Sequence, residues 1–371
     1  MRGDRRRINN ILVANTLGSI LQVGCFGTDN LGDEMGAAEV RRHLRARWPG
    51  LPLRFAMVSR DPEHSARCHP EVTSFYTEDQ LAGGQVPLRD FPLIVLGPGT
   101  LLGRKIIRSA RFLLRRLRPP DRRLFIWGCG VEPIPPGGSA RDLARLCSLA
   151  QRVTVRNQRC AQYLANAGIT DRVGVTADPL FSATVPAHQP KGMITVTICE
   201  KMLRLPWVLK RSFIEPLARA LERYCSETGS AAAFLPMRVK GHKPWRSDLD
   251  YAELLRRLLP RDLRIVTENS PAAALDQLAA TDLYIGTRLH GCLLAAVVGC
   301  RVIGIGSLEK MRQLFDDLAM QTALLSPRQA SDPDILYKAM QSARPANPQT
   351  LAHLRIRSQS TVHLVSLEDI A

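Results

Sequence analysis

One pattern recurs along the chain: a short apolar run, a turn carrying glycine, then a stretch with apolar residues at helical spacing. Ser19–Phe26 reads as a strand, followed by a loop and a helix over Met35–Arg47. Leu53–Ser59, Leu93–Leu96, Leu124–Trp127 and Arg152–Val155 repeat the strand signal. Alternating strands and helices predict a mostly parallel sheet covered on both faces. Asp178-Pro179 and the Pro-containing stretch Ser182–Gly192 read as a linker.

After the linker the pattern restarts. Met193–Cys199, Ala231–Pro236, Leu263–Thr267, Leu283–Gly286 and Arg301–Gly306 are strand-like, with helical spacing over Phe213–Glu227 and Tyr251–Leu259. The restart predicts an α/β protein of two Rossmann-like domains whose parallel sheets face across a cleft. The expected bounds are residues 1–187 and 188–345, with 346–371 as a helical tail. A length of 371 residues suits two cores better than one.

Composition adds two constraints. Aromatics make up only 5%, so the cores must be mainly aliphatic. The nine cysteines are scattered without a CxxC pair, which argues against a disulfide framework or structural zinc and for a reducing compartment. Met1–Arg7 followed by Ile8–Val23 mimics a signal peptide, but polar residues interrupt the apolar stretch, and it runs straight into a glycine-rich loop. No run reaches the length needed to span a bilayer. The expectation is a cytoplasmic protein, with peripheral contact at the inner membrane face as a further option.

Charge widens the choice of partners. The 51 Lys and Arg against 34 Asp and Glu give a formal net charge of +17, a field that favours anionic substrates, polyanions or anionic membranes. Arginine is spread along the whole chain, and base composition of the gene explains part of that excess equally well. The stretch Arg104–Arg123 carries nine Arg or Lys at mostly helical spacing, either a solvated face or a patch for a membrane or lipid-linked substrate. Few aromatics and no recognised nucleic-acid motif count against a nucleic-acid partner.

Three segments carry chemistry. Gly24–Glu34 delivers a strand into a three-glycine loop and a helix, so backbone N–H groups can meet an anion there. A turn with Asp33 as helix cap explains the same residues. Leu96–Gly103 again follows a strand, and its glycines allow close approach or a simple turn. Asp282–Gly291 ends a strand with Arg288, Leu289 and His290 at the start of an apolar helix over Cys292–Val298. Arginine offers a planar fork for carboxylate or phosphate, and histidine exchanges a proton near neutral pH. Asp248-Leu249-Asp250 has the form of a metal–nucleotide site but opens a helix after Ser247, which favours capping. There is no G-x-S-x-G, no H-E-x-x-H and no clustered His/Cys set, so no metal is expected.

Together these segments resemble the polysaccharide pyruvyl transferases. The N-x-G-D-E motif stands as Asn30-Leu31-Gly32-Asp33-Glu34, and a glycine-rich strand end as Gly97-Pro98-Gly99 with Pro98 in a usual glycine position. An Arg near a helix start and a following Asp-Pro stand as Arg156 and Asp178-Pro179, with Asn157 where Asp is usual. R-L-H stands as Arg288-Leu289-His290, and a downstream lysine loop as Glu309-Lys310. Many members carry an Arg after the first strand of the second domain, where Lys201 is the nearest cation here.

The resemblance covers about residues 20–325 and implies a fold like the GT-B glycosyltransferases. It implies transfer of a pyruvyl group from phosphoenolpyruvate to sugar hydroxyls, as a ketal, without a cofactor. The acceptor is a sugar, a nucleotide sugar or a lipid-linked glycan. His290 and Asp33 become the candidate catalytic residues. Arg288, Leu289, Asn30, Gly32, Gly97, Gly99, Lys201 and Lys310 become the candidate binding residues. Two other readings stand beside it: a nucleotide-sugar glycosyltransferase on the same scaffold, and a non-catalytic protein that binds polyanions or membranes.

Overall fold

The computed structural model describes residues 18–103, 107–118, 123–135, 137–199, 207–240 and 247–369. They form two compact units. One comprises the chain up to Thr28, Asp33–Pro179 and the segment from Ile356 onward; the other comprises Asp29–Gly32 and Leu180–Arg355. The switch of unit therefore falls at 179/180, ahead of the expected 187. The tail is not a body of its own, because its last part packs on the first unit.

In the first unit, β1 (Ser19–Val23) leads to α1 (Leu31–Arg47), β2 (Arg54–Ser59), α2 (Pro62–Cys68), β3 (Ser74–Thr77) and α3 (Glu78–Ala82). Then come β4 (Leu93–Leu96), β5 (Gly99–Leu102), α4 (Arg108–Arg116), β6 (Leu124–Val131), α5 (Gly138–Leu149), β7 (Ala150–Val155), α6 (Gln158–Asn166) and β8 (Val173–Val175). The strands form one parallel sheet in the order β3-β2-β1-β4-β6-β7-β8, with β5 also paired to β6. The chain works outward from β1 to β3, then crosses to β4 on the other side. The switch point, where open α/β sheets bind ligands beyond their strand ends, thus lies between β1 and β4.

Both faces of this sheet are dry. Ile20, Phe55, Met57, Val95, Phe125 and Trp127 pack with Ala37, Val40 and Leu44 of α1 on one side. Leu21, Ile94, Leu96, Ile126 and Val153 pack with Leu113 and Leu143 on the other. Strands apolar on both faces are what a parallel sheet covered by helices requires.

The second unit repeats the plan: β9 (Met193–Thr197), α7 (Trp207–Thr228), β10 (Ala231–Phe234), α8 (Asp248–Leu258), β11 (Leu263–Ile265), α9 (Pro271–Ala279) and β12 (Thr281–Gly286). It continues with α10 (Leu289–Val298), β13 (Arg301–Ile305), α11 (Glu309–Asp317), β14 (Leu324–Leu325), α12 (Pro327–Ala330), α13 (Pro333–Ser342) and α14 (Pro348–Ser360). Its six-stranded parallel sheet runs β11-β10-β9-β12-β13-β14, so its switch point lies between β9 and β12. Ile194, Val196, Leu283 and Ile285 pack against Phe213, Leu217 and Leu221 of α7.

The tail is helical only to Ser360, with short 3-10 turns beyond. Arg357 Nη2 donates to the Thr176 carbonyl at 2.6 Å, and Ser358 Oγ to that of Pro179 at 3.2 Å. Val362 and Val365 enter the core of the first unit. Within the basic stretch, α4 buries Ala110, Leu113 and Leu114 and exposes Arg108, Arg111, Arg115 and Arg116, the pattern of a helix lying on a core. Arg104, Lys105 and Arg122 of that stretch, the residues before Gly18, and Lys201 lie outside the described residues. Among the described residues, no helix is long and apolar enough to cross a membrane. All nine cysteines are free thiols.

Candidate active site

In the first unit the switch point joins two glycine-rich loops. Gly97 N–H donates to the Val23 carbonyl at 2.9 Å, tying the end of β4 to the end of β1. Gly97 has a φ of +131° and lies so close to the Trp127 carbonyl that a Cβ would collide with it. Only glycine meets both demands. Gly99 opens β5, and a Cβ built on it would lie 3.5 Å from Asp33 Oδ1. Asp33 is not a cap, since α1 already begins at Leu31; its carboxylate sits in the first turn, where the helix dipole favours it.

The neighbouring Glu34 is buried and holds the loop. Its Oε1 accepts Gly27 N–H at 2.8 Å and its Oε2 accepts His69 Nε2–H at 2.9 Å. Arg41 Nη2 lies 2.7 Å from His69 Nδ1. Because guanidinium only donates, it fixes the tautomer with hydrogen on Nε2. Arg41 also donates to Gln22 Oε1 at 2.5 Å and to Glu71 Oε1 at 2.8 Å. Spacing alone does not reveal this chain of contacts, because its members come from β1, α1 and the segment after α2.

Burial pushes the Glu34 carboxyl up to about 7 and the His69 imidazole down to about 3. A carboxyl raised on folding takes up a proton that the unfolded chain lacks, so its contribution is complete below about 4.5 and vanishes as pH rises through 7. The lowered His69 acts oppositely, opposing folding as pH falls below its ordinary 6.5. Glu34→Gln removes the first effect. The stability of the natural chain minus that of the variant should therefore fall by up to about 3 kcal/mol between pH 4.5 and 8. Denaturant unfolding across that range reads it, and a constant difference would contradict it.

A second buried cation belongs to this unit. The Arg156 side chain is 5% exposed, its Nη1 stands 3.8 Å from Asp178 Oδ2, and neither Nη atom has a hydrogen-bond partner among the described residues. Gly130 leaves room for it, as a Cβ there would lie 2.7 Å from the Arg156 Cζ. A buried guanidinium with unmade hydrogen bonds is costly unless an oxyanion completes it. Asn157, in the usual Asp position, caps α6 by accepting Cys160 N–H at 2.9 Å.

In the second unit the loops after β9 and β12 are bonded together: Thr287 N–H donates to the Thr197 carbonyl at 3.0 Å, and Cys199 N–H to Thr287 Oγ1 at 2.6 Å. Arg288 follows and α10 begins at Leu289. Its guanidinium is already held. Nη2 donates to Asp248 Oδ1 at 2.5 Å and Nε to Asp248 Oδ2 at 3.1 Å, with the side chains 16% and 1% exposed. Asp248 Oδ2 also accepts the backbone N–H groups of Met237 and Arg238, both at 3.1 Å. Burial raises the Asp248 carboxyl above its ordinary value, while Arg288 and the two backbone donors oppose that rise. Capping was the expectation for Asp248-Leu249-Asp250, and Asp250 does form a capping box with Ser247, which leaves Asp248 to orient Arg288.

The loop Asp29–Gly32 completes this half. Asp29, with φ of +59°, accepts N–H from Val239 at 2.9 Å, from Lys240 at 2.6 Å and from Asn269 Nδ2 at 2.8 Å. Asn30 bridges to Arg238, and Leu31 N–H donates to the Met237 carbonyl at 3.0 Å. Gly32 then rests on His290 so closely that a Cβ would collide with Nδ1 and Cγ of the imidazole, too near for any side chain. The two outer motifs of the sequence, N-x-G-D-E and R-L-H, thus meet through Gly32 and His290. Leu289 is buried, Lys310 lies half-buried on the first turn of α11, and Lys201 is outside the described residues. Arg238, Asp248 and Asp29 were not among the expected site residues. They follow β10 or precede α1, and only pairing across the sheet brings them to Arg288 and His290.

The sequence profile of the polysaccharide pyruvyl transferase family matches residues 30–308. The chain belongs to this family of transferases. No curated protein matches the sequence. The fold of this pyruvyl transferase family member is GT-B-like, as its similarity to solved structures shows. It is similar to the UDP-GlcNAc 2-epimerase of Methanocaldococcus jannaschii (8% identity, TM-score 0.62, 93% of this chain and 98% of that one). It is also similar to the UDP-GlcNAc 2-epimerase of Neisseria meningitidis bound to UDP-GlcNAc (9%, 0.58, 93% and 99%). A third similar structure is the glycotransferase of kitacinnamycin (13%, 0.51, 93% and 95%).

Proposed function

We propose that this chain transfers a pyruvyl group from phosphoenolpyruvate to hydroxyls of a sugar or glycan precursor, forming a pyruvate ketal. The observation that carries this reading is the contact of Gly32 with His290, beside an Arg288 fixed by Asp248, in a chain of this family. A glycine against the imidazole lets the backbone come close to the histidine, and a guanidinium braced from behind keeps its position when an anion arrives.

In this reading Arg288 holds an anionic group of phosphoenolpyruvate, and His290 delivers a proton to the enol methylene carbon. The neighbouring carbon becomes electrophilic, and a sugar hydroxyl bonds to it as its proton passes to a base, for which Asp33 is the candidate. The bond to phosphate then breaks with its electron pair, and a second hydroxyl bonds to the same carbon, its proton passing to the departing phosphate, to close the ketal. Phosphoenolpyruvate and a diol thus become ketal and inorganic phosphate, with no redox change. Asn30, Gly32, Gly97, Gly99, Lys201 and Lys310 are proposed as substrate-binding residues. The acceptor is a free sugar, a nucleotide sugar or a lipid-linked glycan.

The test is a mass-spectrometric screen of such acceptors with phosphoenolpyruvate and the full chain. The expected result is an acceptor carrying the pyruvyl mass together with one phosphate released per adduct. Phosphate release indifferent to every acceptor, or sugar transfer from a nucleotide sugar without phosphoenolpyruvate, would overturn the proposal.

A further inference from the structure

Two acids and two arginines gather after β10 and β12 of the second unit, and among the described residues the carboxylates of Asp248 and Asp29 are already occupied. Asp248 accepts Met237 N–H, Arg238 N–H and two nitrogens of Arg288, and Asp29 accepts Val239 N–H, Lys240 N–H and the Asn269 amide. One carboxylate, Asp248, is thus shared by the side chain of one arginine and the backbone of another. Arg238 contributes a second guanidinium to the same place. Its Nε is buried and has no hydrogen-bond partner among the described residues. Burial and the neighbouring Arg288 both make its charge less favourable, with Asp248 offsetting only part.

A half-buried cation within the field of a second cation, with an unmade hydrogen bond, is an unfavourable arrangement unless an anion completes it. Arg238 is held in place on both sides. Its backbone N–H is fixed on Asp248 and it bridges to Asn30, whose loop continues to Gly32 in contact with His290. We infer that Arg238 is the second cation of an oxyanion subsite shared with Arg288, taking a phosphate or carboxylate of the substrate. The inference deepens the proposed function and rests on that site, but its chemistry is that of any oxyanion. Two guanidinium groups accommodate a compact, multiply charged group better than a single carboxylate, because each donates in a plane. Arg238 therefore acts in binding, not in proton transfer.

The experiment titrates the full chain calorimetrically with inorganic phosphate, pyruvate, phosphoenolpyruvate and a nucleoside diphosphate, for the natural chain, Arg238→Gln and Arg238→Lys. Loss of charge-assisted hydrogen bonds predicts about a 10- to 100-fold weaker affinity in Arg238→Gln for the phosphate-bearing ligands. Arg238→Lys should recover part of it, and pyruvate should bind more weakly than phosphoenolpyruvate. Unchanged unfolding curves for both variants keep the readout on binding. Natural affinity in Arg238→Gln, or no oxyanion bound by the natural chain, overturns the inference. If only the nucleoside diphosphate binds and Arg238→Gln weakens it, the subsite stands and the pyruvyl-transfer reading falls.

Discussion

His290→Gln should lower acceptor-dependent turnover of phosphoenolpyruvate by about two to four orders of magnitude, the usual range for a lost general acid–base group. Glutamine preserves the hydrogen-bonding character of the side chain but exchanges no proton at neutral pH. His290 lies in the first turn of α10, half-buried, with Gly32 packed against its Nδ1 and Cγ. The replacement should therefore leave the unfolding midpoint nearly unchanged. The informative measurements are single-turnover rate and affinity for phosphoenolpyruvate on the same preparation. A rate loss with affinity retained fits proton transfer. Activity within about tenfold of the natural chain would remove His290 from that role.

Asp248→Ala carries the largest expected loss of stability. The aspartate is 1% exposed and satisfies four donors, two from Arg288 and two from the backbone after β10. Removing it takes from Arg288 the carboxylate that two of its nitrogens donate to, and from two backbone N–H groups their acceptor. Breaking one side of a buried ion pair typically costs about 3–5 kcal/mol. Asp248→Asn retains shape and one acceptor oxygen, so it should cost less and raise the Michaelis constant for phosphoenolpyruvate more than it lowers turnover. A denaturant midpoint in Asp248→Ala equal to that of the natural chain would show that Arg288 finds its position without this partner.

The periodicity of the chain made most elements legible. Apolar runs such as Leu93–Leu96 are strands as expected, because a four-residue run apolar at every position suits a strand buried on both faces. Ends were less legible. β6 continues from Trp127 to Val131 through Gly128 and Gly130, whose lack of side chains hides a strand from any apolar pattern. α1 begins four residues before the expected Met35, since Asp33 and Glu34 are polar residues that suit a first turn. The shared position of the motifs beyond the strand ends followed from the alternation of strands and helices.

The sequence by itself determined the α/β class, the twofold restart and the motifs that mark the family, since these depend on local periodicity and on residues adjacent in the chain. Tertiary structure alone decided which side chains serve each motif. Asp248 lies forty residues before Arg288, and His69 thirty-five after Glu34, yet each pair is in hydrogen-bonding contact. Parallel strands require long crossovers, so residues at adjacent strand ends are distant in the chain. The strand orders β2-β1-β4 and β10-β9-β12, which no local pattern encodes, put the glycine loops and Arg288-Leu289-His290 at the two switch points.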